Sequence, residues 1–272
     1  QNSDKTQISK SQVTENFYGI STKDTSNLTI EDSTISNNFV DGILLKGYAK
    51  NIVIEDNTID RNANGIKLNY NDGENITIQR NIITNSQQRS CTINVRDPYT
   101  EQYESGDGLT FGSDYKDGAN ESIQHNFIYG NTHRAVDAHD EQYHDGRNLM
   151  VGSNVYGTTD PLSNTFCCKI NTNPALLNLV KIGDGIYVAY FTDGDTGDPM
   201  LDLPDGTTAT FTSGGISITV TMKDGIAIAN LGPNTLGQIL VSIAGMSTST
   251  FMDSQKIALS SIIGSDDVPG DD

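Results

Sequence analysis

The sequence repeats itself. The segments NLTIEDSTISNN, NIVIEDNTIDRN and NITIQRNIITNS start at Asn27, Asn51 and Asn75, each 24 residues after the last. The phase returns at NESIQHNFIYGN from Asn120 and, in part, at NLMVGSNVYG from Asn148. A fixed period of this size restricts a chain to a solenoid, because one repeat cannot bury its apolar face until a neighbour stacks on it. Within the repeat the apolar residues alternate at period two. Leu28/Ile30, Ile52/Ile54 and Ile76/Ile78 point one way and Thr29, Val53 and Thr77 the other, which is the pattern of a strand. Ile35, Ile59, Ile83 and Ile128 form a second inward position, and GILL, GIKL and GLTF form a third strand ending at Ile43/Leu45, Ile66/Leu68 and Leu109/Phe111. Short strands stacked coil on coil predict an all-β fold, a parallel β-helix over residues 1–158 with about six coils.

Polar residues keep the same phase. Ser33, Asn57, Asn81, Asn126 and Asn154 share one position, and Asn38, Asn62, Ser86 and Asn131 another. Asn accepts left-handed backbone and can bond its equivalent on the next coil, so these positions are expected to be corners carrying ladders. The head ISKSQVTENFYGI reads as a degenerate earlier coil, which sets the expectation of a solenoid extending upstream. Two stretches depart from the repeat: an insertion at 87–106 and HRAVDAHDEQYHDGR (His133–Arg147). Insertions in solenoids become loops and often form the binding face.

A change of chemistry divides the chain near residue 158. All four His, every Arg and every Glu precede residue 159, after which the charged residues are Lys and Asp alone. Residues 159–255 read as short alternating strands, including ALLNLVKI, GIYVAYFTD, TTATFTS and ISITVTMKDGIAIANL, with Asp224-Gly225 as a hairpin signal. About seven strands with frequent turns predict an immunoglobulin-like β-sandwich, here without the Cys…Trp…Cys of antibody domains, since Trp is absent. Residues 256–272 read as an acidic linker or tail.

Charge excludes some partners. With 17 basic against 35 acidic side chains and a net charge of −18, nucleic acid would be repelled. No apolar run approaches the roughly 18 residues that a membrane helix needs, so no membrane insertion is expected in this segment. Three Cys (Cys91, Cys167, Cys168) exclude a disulfide framework; a buried thiol or one Cys91 bridge are the readings open to them. Site candidates fall in the departures. Tyr99 and Tyr103 with Glu101 and Glu104 would suit a glycan-stacking surface, or simply pack locally. No cofactor is expected, although Asp97 and Asp107 with their acidic neighbours could hold calcium, which takes oxygen ligands. Asn27, Asn75 and Asn120 fit the glycosylation pattern, and a structural turn accounts for them equally.

The coils followed by NTFCCKINTNPALLNLVKIGDGIYVAYFTD, DGTTATF and DGIAIANL resemble the adhesin-like surface proteins of methanogenic archaea, over most of residues 8–250. That resemblance implies right-handed β-helix repeats joined to immunoglobulin-like modules. It also implies an extracellular, cell-surface or wall-associated place, and adhesion to host or microbial glycans or proteins. It carries no catalytic residues. The coils alone are shared with pectate lyases, polygalacturonases, alginate epimerases and phage tailspikes, so a polysaccharide lyase, epimerase or hydrolase is the alternative. In that case DAHDEQYHDG would supply Asp137, His139 and Tyr143, with Arg134 neutralising a uronate carboxylate. A purely structural spacer is the third reading.

Overall fold

The computed structural model describes residues 5–87, 106–112, 119–137, 149–152, 154–156, 174–233, 237–251 and 262. The repeat folds into stacked parallel strands. One face pairs Thr6–Ser9, Ile20–Glu31, Asp41–Glu55, Asn64–Gln79, Ala119–Gln124 and Leu149–Gly152 in that order. A second pairs Gln12–Thr14, Thr34–Ser36, Thr58–Asp60, Ile82–Thr84 and Phe127–Tyr129. Leu109–Phe111 and Val136–Asp137 continue the third strand of the coil beyond Ile66–Leu68. Equivalent residues stack in register, as in Ile35, Ile59, Ile83 and Ile128, and these columns form one buried Ile/Leu core. At roughly 1.5–3 kcal/mol per buried aliphatic side chain, that column is the main favourable term of the solenoid. One rung departs from it: Glu121, in register with Ile76, is also buried.

The corners divide two tasks that the sequence reading had given to one residue. Left-handed backbone falls on Asp32, Asp56, Arg80 and His125 (φ 49, 56, 52 and 55°), each one position before the ladder Asn or Ser. The ladder residues then turn inward and are buried. Asn57 N–H donates to Asn81 Oδ1 (3.0 Å), Asn81 N–H to Asn126 Oδ1 (2.9 Å) and Asn126 N–H to Asn154 Oδ1 (2.8 Å). Each left-handed non-glycine residue costs on the order of 1 kcal/mol, which a few net hydrogen bonds of comparable size offset. The glycine opening each third strand has a steric cause. A Cβ on Gly42 would lie 2.6 Å from Gly65 O, and one on Gly65 2.3 Å from Gly108 O.

Among its described residues, the second part holds seven antiparallel strands in two sheets. The first, second and fifth strands (Leu176–Gly183, Ile186–Thr192, Ile226–Asn230) form one sheet. The fourth, third, sixth and seventh (Ile216–Thr221, Thr208–Ser213, Gln238–Ile243, Met246–Phe251) form the other. Their inner faces share a core of Tyr187, Phe191, Phe211, Ile239 and Val241. The Asp224-Gly225 hairpin turn is present, and Lys223 and Ile226 exchange backbone hydrogen bonds across it. Both residues take positive φ (48 and 71°) in a tight turn closed by Lys223 and Ile226, yet the strands on either side belong to different sheets. A two-residue turn fixes the local reversal, whereas the burial of alternate faces decides which sheet each strand joins. The three-stranded sheet is apolar on both faces: Val180, Ile182, Val188, Tyr190 and Ile226 point away from the main core. Ile262 is buried against Val188 there, so the stretch read as a solvated tail is packed at that residue.

The two parts touch. Phe127 of the solenoid meets Phe191 edge-on at 5.7 Å, and Ala175 N–H donates to Asn154 O.

Candidate functional site

The coil that begins at Asn75 breaks after Gln87 and resumes at Gly106, with the intervening stretch outside the described residues apart from its two ends. It resumes on a known column: Asp41 and Asn64 stand before Gly42 and Gly65, and Asp107 stands before Gly108. Gly65 N–H bonds Asp107 O, and Gly108 N–H bonds Arg134 O, so Asp107 follows Asn64 and precedes Arg134 in the stack. Val136 is fully buried against Leu109, which fixes the short strand Val136–Asp137 and with it Arg134 and Asp137. The repeat therefore continues through Asp137, so the stretch read as departing from it at His133 still follows the coil over its first five residues. The sequence hid this because AVD lacks the Gly-apolar signature of the other third strands.

These constraints bring Asp107, His133 and Asp137 together, with one ligand-type atom of each within 4.8 Å of the others. Asp107 is 3% exposed, and its Oδ1 lies 2.8 Å from His133 Nδ1 and accepts from Arg134 N–H at 3.0 Å. His133 is 48% exposed, and the Arg134 guanidinium pairs with Asp137. Burial, followed by the charge of Asp137, pushes the Asp107 carboxyl up to about 6, against the pull of His133 and the Arg134 amide. A buried carboxylate on Nδ1 of an exposed imidazole fixes the ring and leaves Nε2 to exchange a proton or take a ligand.

Hydrogen bonding is incomplete around this coil. Among the described residues, Asn64 Oδ1, Ser86 Oγ, Thr110 Oγ1 and Asn131 Nδ2 are buried without a partner. Further along the same edge, at the corner from which the insertion springs, Phe17 and Phe39 stack at 5.9 Å with exposures of 42 and 37%.

A cleft of about 410 Å³ lies between the two parts, lined by Asp32, Asp56 and Arg80 on one side and Asp202, Asp205 and Asp224 on the other. Arg80 is committed to Asp56 (2.8 Å) and Glu55 (2.7 Å). His125 Nδ1 lies 2.6 Å from Asp202, a contact that holds the Asp202 carboxyl below its usual range. Asp32 and Asp56 face outward from the coil toward the second part.

Of the residues singled out from sequence, the structure joins Asp107, a calcium candidate, to Arg134 and Asp137, candidates for catalysis. The group's imidazole is His133, where the sequence reading had favoured His139. His139, Tyr143, Asp97, Tyr99, Tyr103, Glu101, Glu104 and the three Cys lie outside the described residues. The signal for His133 was present in the Asp41/Asn64/Asp107 column and was interrupted by the insertion. Asn27, Asn75 and Asn120 form an outer ladder through Asn51: Asn75 Nδ2 donates to Asn51 Oδ1 (2.9 Å) and Asn120 Nδ2 to Asn75 Oδ1 (3.0 Å). All take φ between 52 and 59°, so a structural role accounts for them.

Residues 1–103 match the family model described as a right-handed beta helix region, a family found in adhesins and in polysaccharide-active enzymes. Searches of curated proteins and of solved structures return no match. Among the described residues, no helix is long and apolar enough to cross a membrane.

Proposed function

We propose that this chain is part of an extracellular, adhesin-like cell-surface protein that binds a host or microbial glycan along one edge of its β-helix. The observation that carries this reading is the composition of that edge. The exposed rings of Phe17 and Phe39, the root of the 87–106 insertion and the Asp107/His133/Asp137 group follow one another along it. Asp41 to Asn64 to Asp107 is two coil steps, so the aromatic pair and the polar group are about 10 Å apart along the axis. Exposed rings beside hydrogen-bonding groups suit a sugar, whose faces are apolar and whose rim is polar.

The second part is read as an immunoglobulin-like stalk module. In support, its first, second and fifth strands share a sheet, as do its third, sixth and seventh; relative to a constant-type domain, only the fourth has changed sheets. A glycan array tests the reading, comparing the intact chain with Phe17→Ser/Phe39→Ser and with residues 88–105 replaced by a short Gly-Ser turn. Binding by the intact chain and its loss in both variants is expected. Absence of any glycan ligand for the intact chain overturns the reading and leaves a spacer.

A polysaccharide-active enzyme is the second reading, favoured by the Asp107–His133 pair. It requires product from pectin or alginate with the intact chain and none with His133→Ala. Unmodified polymers remove it.

A further inference from the structure

We propose that Asp107, His133 and Asp137 form a binding site for a divalent transition-metal ion of the zinc class. The donor set is one imidazole nitrogen and two carboxylates, a mixture that Zn²⁺ accepts and that is less suited to calcium, which prefers oxygen alone. Zinc with ligand distances of about 2.0–2.2 Å holds tetrahedral donors roughly 3.3–3.6 Å apart. The observed spacings bracket that value: His133 Nδ1 is 2.8 Å from Asp107 Oδ1, and the whole group spans at most 4.8 Å. Small rotations of the exposed imidazole and of Asp137 suffice to close the site, and the proton on Nδ1 leaves when the metal replaces it.

A second observation points to a cation independently of the three ligands. Asn64 is 2% exposed and lies in the stack between two carboxylates, Asp41 and Asp107. A side-chain amide has one donor end and one acceptor end. Its Nδ2 is given to Asp41 Oδ1 at 2.8 Å, and among the described residues its Oδ1 has no hydrogen-bond partner. Reversing the amide would only move the conflict to Asp41. A buried acceptor set beside an acidic group calls for positive charge, and a metal ion on Asp107 supplies it. Thr110 Oγ1, also buried without a partner, is in register with Asp137.

The ligands are already held from behind. Arg134 N–H bonds Asp107, and the Arg134 guanidinium bonds Asp137, in the manner of the outer groups that orient metal ligands. Among the described residues three donors are offered, so a tetrahedral ion would have a fourth position for another donor. An oxygen of a bound molecule could complete the coordination there.

Metal binding is read directly and so stands or falls apart from the glycan reading. Chelator-treated chain is titrated with Zn²⁺ by calorimetry, with Ca²⁺ as comparison, and Co²⁺ is used for its absorption spectrum. One Zn²⁺ per chain is expected, with Ca²⁺ at least 100-fold weaker and a tetrahedral Co²⁺ band. His133→Ala and Asp107→Asn should each weaken Zn²⁺ binding 100-fold or more, whereas His125→Ala should leave it unchanged. Circular dichroism confirms that each variant is folded. Asp137→Asn, which alters the most exposed carboxylate ligand with least change to the coil, serves if Asp107→Asn does not fold. No stoichiometric Zn²⁺ binding, or binding that survives in folded His133→Ala, overturns the site.

Discussion

The coils starting at Asn27 and Asn51 and the coil resumed at Gly106 are built on the same pattern, yet they treat polar atoms differently. In the regular coils Asn62 donates Nδ2 to Ile35 O, while its Oδ1 accepts from both the backbone N–H and the side chain of Asn38. At the interruption the equivalent Asn131, one coil on, accepts from Ser86 N–H, and among the described residues its Nδ2 is unpartnered. On the neighbouring column Asp41 and Asn64 pair directly, whereas Asp107 turns to His133 and the Arg134 amide. Regular stacking uses up its hydrogen bonds internally. A solenoid therefore has free bonding capacity where its period fails, and that is where a ligand can be recognised.

The largest expected effect tests this contrast on one column. Asn62→Ala removes three hydrogen bonds, from Asn38 N–H, from Asn38 Nδ2 and to Ile35 O, and should cost about 3 kcal/mol, while Asn131→Ala should cost about 1 kcal/mol. Denaturant unfolding measures both, and equal losses would break the comparison. A pH series sharpens it next. The Asp107 carboxyl titrates higher in the folded chain than the unfolded value of 3.8, so its contribution is fully present below that pH and is lost as pH rises through about 6. In metal-free buffer, the intact chain should lose melting temperature over this window relative to Asp107→Asn, in which position 107 carries no charge at any pH. The smallest effect belongs to the contact between the parts. His125→Ala should cost no more than about 1 kcal/mol, since Asp202 is half exposed. The lowered Asp202 carboxyl contributes stability above its unfolded value that is lost as pH falls through the folded one, so the difference between His125→Ala and the intact chain should vanish in acid.

The coil, its inward residues and its ladder positions are legible in the sequence because stacking forces chemically similar residues onto each position of every coil. The backbone role of the corner residue is not legible: Asp32, Asp56, Arg80 and His125 share a conformation and almost nothing else. The site was half legible. Asp137 and Arg134 stood out as charged residues in a departure from the repeat, but the insertion broke the count that links Asp107 to Asn64. Val136, a single inward residue, was too short a signal to place His133. In the second part strand existence was written in the alternation, while sheet membership was not. Val188 and Ile226 look like core residues from sequence, and they line the reverse face that Ile262 covers.

The direction of the backbone bonds between coils has a mechanical consequence. In parallel strands those bonds run across the strands, which in this stack means along its long axis. A pull along that axis loads all the bonds of one coil interface at once, whereas a sideways pull on a terminal coil opens them one after another. Such a rod resists stretching and yields to peeling. The edge-on contact of Phe191 with Phe127 and the bond from Ala175 N–H to Asn154 O fasten the neighbouring module to these coils, and a peeling force must break both to separate it.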